Sequence, residues 1–377
     1  MSPSILTLPL TAAALGPALS AWRDQHPQGG VLALLPEAEA AGLPLLQALC
    51  AARDLPLVGA IFPALLGPSG FSSQGVCLLR FAVMPAYALL DGFGPDASAA
   101  AGRIAAFVNG AVDPAESPTL FLLGDAMVPN VTSILDALYL ELADGVHYAG
   151  VNAGSETFAP MPCLFDGQRL TQGGALCLIL GQHRPPSLEH GFDTPARSLT
   201  ATSTEGNRIL RIDWRPAFEV YQELVAQDHG IALTAENFYT YGVHYPFGIL
   251  RAAGDLTVRI PVALAEDGAL ICVGEVPPNS VLVLLKADEV DTSRCVPDLA
   301  RALTAARPVE NLLAFYCAGR RMHMGASADR EVAQLFAAVG PKTMAGALSL
   351  GEIGSRQAWG YPLFHNAALV ALDWDPA

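Results

Sequence analysis

Four side chains that can take part in chemistry follow short apolar segments in the C-terminal part of the chain: Cys317, Arg320, Glu352 and His365. A thiol and an imidazole can act as nucleophile and base, and a guanidinium can hold a carboxylate through two parallel hydrogen bonds. Glycines on both sides of Glu352 let the backbone approach closely. We therefore expect these four side chains to come from strand ends of one sheet and to point into a shared region. Asn366, which follows His365, is a further candidate ligand-binding residue.

Each of these residues also has a structural interpretation. Glu352 can close a glycine-rich turn, Arg320 can face solvent or pair with Glu352, and Cys317 can be a small core residue. The sequence contains no G-x-S-x-G, G-x-G-x-x-G or P-loop motif. A catalytic cluster is therefore the weaker hypothesis, and we expect a protein that is not an enzyme.

The histidines suggest a second kind of chemistry, because a neutral imidazole can ligate iron. His244 lies in an aromatic-rich stretch with Tyr241, Tyr245 and Phe247, whose rings can wall a flat ligand such as a porphyrin. His244 is therefore our candidate metal ligand. The alternative metal ligands are His147 and His365. For each of them the competing interpretation is a hydrogen-bonded core or turn histidine.

A strand-helix-strand-strand pattern, which can position such side chains, recurs three times along the chain. Each repeated unit has a short apolar strand, a helix of about ten to thirteen residues, a second short strand and, after a loop or turn, a closing strand. The predicted elements are 31–35, 43–53, 56–61 and 76–82 in the first unit, 119–123, 131–143, 146–151 and 175–180 in the second, and 312–317, 329–339, 344–350 and 367–374 in the third. The closing strands of the first two units align with one residue of slip, which indicates duplication.

A different segment lies between the second and third units. Its predicted elements are a strand at 208–214, a helix at 217–227 and strands at 239–251, 256–261, 269–276 and 281–287. Residues 182–207 contain three prolines and many Ser and Thr residues, so we predict a linker there. The expected fold is α/β (α+β), with mixed sheets flanked by helices in two halves, residues 1–185 and 208–377.

The composition excludes several functional classes. The formal net charge of −15 would repel a phosphate backbone, so we expect no nucleic-acid partner. The apolar runs are far shorter than the roughly 18 residues that span a bilayer. The first basic residue is Arg23, too late for a secretory signal, so we expect a cytoplasmic protein without membrane insertion. The seven cysteines include no C-x-x-C pair, which disfavours a zinc clamp.

Three ordered motifs in the third unit point to a family. They are Cys-Ala-Gly-Arg at 317–320, Gly-Ala-Leu-Ser-Leu-Gly-Glu-Ile-Gly at 346–354 and Phe-His-Asn-Ala-Ala-Leu-Val at 364–370. With Tyr-Pro-Phe-Gly at 245–248 and Val-Arg-Ile-Pro at 258–261, they resemble the C-terminal half of the FIST family of signal-transduction sensors. Residues 30–180 resemble its N-terminal half.

The resemblance implies a sensor that binds a small ligand and signals to a separate protein such as a histidine kinase. It allows haem as a cofactor and nitric oxide as its ligand, with Arg320 or Arg251 pairing with a propionate.

Two segments depart from the family pattern, 58–66 and 149–152, and make any pocket that they line more apolar. This weakens the case for an amino-acid ligand and favours a flat apolar one such as haem. The sequence leaves three hypotheses: a sensor of gas or of a metabolite, an enzyme built on the cluster that includes Cys317, or an interaction scaffold without ligand.

Overall fold

The computed structural model describes residues 4–112, 117–181, 186–251, 256–354 and 360–374. Within these residues the strands form three sheets of six strands and one sheet of eight. Each six-stranded sheet is built mainly from one of the three repeated units. The eight-stranded sheet belongs to a domain that follows the second unit and interrupts the third. We call it the inserted domain.

In the first unit, an edge strand and a helix precede the predicted strand-helix-strand-strand pattern. Its elements are β1 (Ile5–Leu8), α1 (Ala12–Gln25), β2 (Gly30–Pro36), α2 (Leu43–Ala51), β3 (Leu57–Phe62), β4 (Leu65–Gly67), β5 (Gly70–Ser72) and β6 (Val76–Phe81). The Thr11 hydroxyl caps α1 by accepting a hydrogen bond from the Ala14 N–H. All residues of β2, β3 and β6 are buried, because helices cover one face of the sheet and the common core covers the other.

The second unit repeats this order. Its elements are β7 (Tyr87–Leu90), α3 (Ala97–Ala111), β8 (Thr119–Asp125), α4 (Val131–Leu142), β9 (His147–Ala153), β10 (Leu164–Asp166), β11 (Leu170–Thr171) and β12 (Ala175–Leu180). The Asp96 carboxylate caps α3 through the Ala99 N–H, as Thr11 caps α1. The equivalent capping position supports the duplication that the closing strands indicate.

The third unit is split by the inserted domain, which follows its edge strand. The edge strand is β13 (Ser187–Glu189), and the inserted domain contains β14 (Leu199–Glu205), β15 (Arg208–Ile212), β16 (Arg215–Pro216), α5 (Ala217–His229), α6 (Phe238–Gly242), β17 (Phe247–Leu250), β18 (Leu256–Arg259), β19 (Pro261–Leu264), β20 (Leu270–Cys272) and β21 (Val281–Leu284). The rest of the third unit is α7 (Cys295–Thr304), β22 (Asn311–Cys317), α8 (Ala318–Met324), α9 (Ala328–Val339), β23 (Thr343–Ser349), β24 (Glu352–Gly354), β25 (Leu363–His365) and β26 (Leu369–Asp373). Short 3₁₀ turns lie at Glu37–Gly42, Ala143–Gly145 and Gly325–Ser327.

The units exchange hairpins in a cycle. In every unit the two strands that flank the central helix pair in parallel, as β2 with β3, β8 with β9 and β22 with β23. The hairpin β4–β5 of the first unit extends the sheet of the third, β10–β11 of the second extends the sheet of the first, and β24–β25 of the third extends the sheet of the second. Each unit therefore completes the sheet of another.

The three sheets meet in one apolar core. The Phe315 ring lies 5.8 Å from the Phe62 ring and 6.1 Å from the Phe121 ring, so each unit contributes one of these rings. Together with the exchanged hairpins, this core joins the three units into one body. No helix among the residues described is long and apolar enough to cross a membrane.

The predicted α/β (α+β) fold class and the three repeated units are confirmed. Two local predictions were wrong. The stretch 239–251 contains the helix α6 before the strand β17. The predicted linker 182–207 contains β13 and β14; in β14 the buried Leu199 and Ala201 alternate with the half-buried Thr200 and Thr202, as in a strand with one face on a core. Residues 182–185 lie outside the described part of the chain.

Candidate functional site

The predicted C-terminal cluster is assembled from two sheets, not from one as expected. Cys317 ends β22 in the third unit's sheet, whereas Glu352 and His365 lie on β24 and β25, which extend the second unit's sheet. The residues still converge on one turn. The Cys317 sulfur accepts a hydrogen bond from the Ala367 N–H at 3.1 Å, and Arg320 Nη1 donates to the Ala367 carbonyl at 3.3 Å.

Glu352 is a fully buried carboxyl group at the start of β24. The Ser349 hydroxyl donates to its Oε1 at 2.6 Å, and the Ala368 N–H approaches its Oε2 at 3.4 Å. Burial raises the pKa of Glu352 to about 8, although these hydrogen bonds and one from Cys317 act in the opposite direction. Its carboxyl group is therefore mainly protonated at neutral pH.

Arg320 is buried and bound to a different carboxylate from the one predicted. Its Nε donates to Glu331 Oε2 at 2.8 Å and its Nη2 donates to Glu331 Oε1 at 2.6 Å. The Tyr316 hydroxyl donates to the same carboxylate. Arg320 Nη1 also donates to the His190 carbonyl at 3.0 Å. The predicted pair of Arg320 with Glu352 is wrong, and the guanidinium joins α8 to α9 and to the segment after β13.

The remaining members of the cluster support the turn at its centre. Burial raises the pKa of the Cys317 thiol, so the sulfur stays protonated and gives little support to a nucleophilic role. Asn366 Nδ2 donates to the His365 carbonyl at 3.1 Å, and the Ile260 N–H approaches Asn366 Oδ1 at 3.5 Å. The His365 side chain is completely buried.

Two of the aromatic rings beside His244, those of Tyr245 and Phe247, pack against other side chains. The Tyr245 ring stacks on His229 at 4.4 Å between centroids, and the Phe247 ring packs 5.2 Å from Tyr221 inside the core of the inserted domain. Tyr241 is half-buried against the same core. The predicted porphyrin wall formed by Tyr245 and Phe247 is therefore wrong, because these rings are used in packing.

His244 faces a second histidine. Its Nδ1 lies 2.5 Å from Nδ1 of His323, and Nε2 of His323 lies 2.9 Å from the Asp288 carbonyl. Burial lowers the pKa of both imidazoles, and the neighbouring His323 adds to the effect on His244. Both rings are therefore mainly neutral at neutral pH. In each ring, Nδ1 is taken up by the contact with the other ring.

The alternative iron ligands also lack an open approach to a haem. His147 begins β9 at the far end from the cluster and is half-buried, and His365 has no exposed surface. Arg320, one of the two proposed propionate partners, is engaged by Glu331; Arg251, the other, directly follows β17. No group of three or more His, Cys, Asp or Glu side chains in the described ranges is arranged to hold a metal ion. The residues present do not fit a haem.

An apolar cleft, which we call the central cleft, lies beside the cluster where the units meet the inserted domain. It holds about 510 Å³ of space, its open mouth included. Its lining residues are Glu156, Phe158, Tyr239, Val243, Ile260, Pro261, Val262, Val273, Cys317, Ala318, Gly319, Met322, Leu350 and Asn366. Of the predicted site residues, Cys317 and Asn366 line it.

A second opening, the side cleft, lies next to the central cleft. It holds about 770 Å³ of space, its open mouth included, between the start of α4 and the strands β19 and β20. The two clefts share Phe158, Val262, Val273 and Leu350. The sequence predictions missed most of this lining, since residues from distant segments meet only after the hairpins are exchanged. The glycine of Cys-Ala-Gly-Arg was the one signal in the sequence. The structure explains why a glycine stands there, because a Cβ at Gly319 would lie 2.3 Å from Ile260 Cδ1.

Two family models match the chain. A model described as the FIST N domain matches residues 31–215, and a model described as the FIST C domain matches residues 217–355. No curated protein matches the chain. Glu156 and Phe158 belong to the first matched segment, and the lining residues from Tyr239 to Leu350 belong to the second. The central cleft is therefore lined by both matched segments.

Proposed function

Because this chain contains a FIST N and a FIST C domain, it belongs to the FIST family of signal-transduction sensors, and we propose that it senses a small, largely apolar ligand in the central cleft. The observation that carries the proposal is the lining of this cleft by both domains. A ligand held there contacts the second unit, the inserted domain and the third unit at once. Such a ligand can favour one arrangement of these parts over another.

The lining supports one class of ligand. Most of the side chains that line the two clefts are aliphatic, aromatic or sulfur-containing. Arg320 is held by Glu331, so it is not available to clamp a ligand carboxylate. These features support an apolar ligand and give no support to an amino acid. Haem is not part of the proposal, because the aromatic rings and imidazoles suggested for it are packed against other side chains.

The output of the sensor is also part of the proposal. The family role supports a separate signalling protein, such as a histidine kinase, that reads the ligand-dependent change in the cytoplasm. The exposed side chains at the mouth of the central cleft, Tyr239 and Met322, lie on α6 and α8, so closure over a ligand would alter a surface that a partner can contact.

Calorimetric titration with 1-octanol tests ligand binding, and Val262→Trp is the decisive variant. Val262 is half-buried and lines both clefts, so a tryptophan there fills the space that the ligand needs. We expect the wild type to bind octanol and Val262→Trp to bind at least about tenfold more weakly, a loss of about 1.4 kcal/mol.

Leu170→Trp is the matched control, because Leu170 is 44% exposed on β11 and lines neither cleft. It should bind octanol as the wild type does. Circular dichroism and urea unfolding establish that both variants are folded. Equal binding by the wild type and a folded Val262→Trp, or no binding by the wild type, would contradict the proposal.

A further inference from the structure

One carboxylate side chain lies at the mouth of the clefts. Among the described residues that line the central and side clefts, Glu156 is the only Asp, Glu, Lys or Arg. It lies in the connection between β9 and β10, at the outer end of the central cleft. The rest of the groove is apolar apart from the amides of Asn152, Asn207 and Asn366, the Tyr239 hydroxyl and the thiols of Cys272 and Cys317.

Glu156 is only weakly engaged within the protein. Among the described residues it forms one ion pair, with Arg321, whose Nη1 lies 4.0 Å from Glu156 Oε2, the outer limit for such a pair. The Arg321 guanidinium instead lies over the Phe71 ring, 4.7 Å from its centroid. The Glu156 side chain is 41% exposed, so a ligand cation can reach its carboxylate.

Electron-rich groups surround the same mouth. Phe158 is 37% exposed and Tyr239 is 57% exposed, and both line the central cleft. Met322 lies beside Tyr239, whose hydroxyl is 3.9 Å from the Met322 sulfur. Aromatic faces attract alkylammonium groups because the negative face of the ring quadrupole stabilises a cation.

The net charge of the chain acts in the same direction. At −15 the protein attracts cations and repels anions over a distance limited by the ionic strength. Among the described lining residues a carboxylate ligand would meet Glu156 and no Lys or Arg, whereas an ammonium group would find a carboxylate and two exposed rings.

We propose that the ligand class is a lipophilic amine, whose ammonium group pairs with Glu156 beside Phe158 and Tyr239 and whose hydrocarbon part occupies the two clefts. This inference rests on the proposed function and specifies its ligand. Phe158, Val262, Val273 and Leu350 line both clefts, so an extended chain that lies against these four residues can contact both.

Calorimetric titration with octylammonium, 1-octanol and octanoate, each below its micelle-forming concentration, separates the contribution of the ligand's charged group from that of its hydrocarbon chain. We expect octylammonium to bind more tightly than octanol, and octanoate to bind most weakly. Glu156→Gln should weaken octylammonium binding about three- to fivefold, as expected for a partly exposed ion pair, and leave octanol binding unchanged. The loss should shrink as salt is added.

Glu141→Gln is the matched control. Glu141 is exposed on α4 and lines neither cleft, and its substitution changes the net charge by the same amount. If octanoate binds as tightly as octylammonium, or if the two Gln variants weaken octylammonium equally, the amine inference is overturned while ligand binding in the cleft stands. If the wild type binds none of the three molecules, the proposed function itself fails.

Discussion

The buried carboxyl group of Glu352 should make the stability of this protein fall as the pH rises. Its pKa is about 8 in the folded protein and 4.5 as the ordinary value, so the folded state holds a proton that the unfolded state has lost throughout this interval. The unfolding free energy therefore decreases with increasing pH between these two values. Integrating proton binding from pH 6 to pH 8.5 gives a decrease of about 2.5 kcal/mol from this one group.

Glu352→Gln isolates this contribution. A glutamine keeps an oxygen that can accept from the Ser349 hydroxyl and carries no charge, so it resembles the protonated acid. Other groups also titrate: burial lowers the pKa of His244 and His323, which adds stability as the pH rises toward 6.5, and burial raises the pKa values of the thiols. These groups are common to both proteins and cancel in the difference.

The assay is equilibrium urea unfolding of both proteins at half-unit steps from pH 6 to pH 8.5. The wild type should lose about 2.5 kcal/mol relative to Glu352→Gln across the range, with most of the loss below pH 8. Parallel curves for the two proteins would show that Glu352 is already ionised in the folded protein at pH 6, and would refute the reasoning from burial.

Two further predictions concern the supports of the cleft, both measured by urea unfolding. Glu331→Ala should lower the unfolding free energy by about 3–5 kcal/mol, because it leaves buried Arg320 without its counter-charge. Glu310→Ala, which removes the exposed pair with Lys342, should lower it by less than about 1 kcal/mol. Similar losses in the two variants would contradict the desolvation argument. Gly351→Ala should cost about 2–4 kcal/mol, because Gly351 has φ +143° and an added Cβ would lie 2.3 Å from Phe364 Cζ. Gly206→Ala, at φ +57° with open space, should cost only about 1 kcal/mol, and equal costs would argue against the close contact.

The repeated units could be predicted from the sequence because their signals are local. Runs such as 31–35 and 119–123 are apolar over a strand's length, and the helices that follow them end near glycine or polar residues. The observed elements Gly30–Pro36 and Thr119–Asp125 extend the predictions by one or two residues. The aromatic stretch around His244 was misjudged because periodicity does not distinguish rings that wall a pocket from rings that pack a core.

Composition and local hydrophobic pattern thus determined the α/β class, the three units and an acidic protein with the family motifs of a sensor. The tertiary structure decided which sheet each hairpin joins, because strand pairing depends on contacts between residues far apart in the chain. That exchange takes Glu352 and His365 into the second unit's sheet, whereas Arg320 pairs with Glu331 of the next helix in its own unit. It also brings Glu156 and Phe158 against the inserted domain, which creates the central cleft. No local pattern encodes that meeting of distant segments.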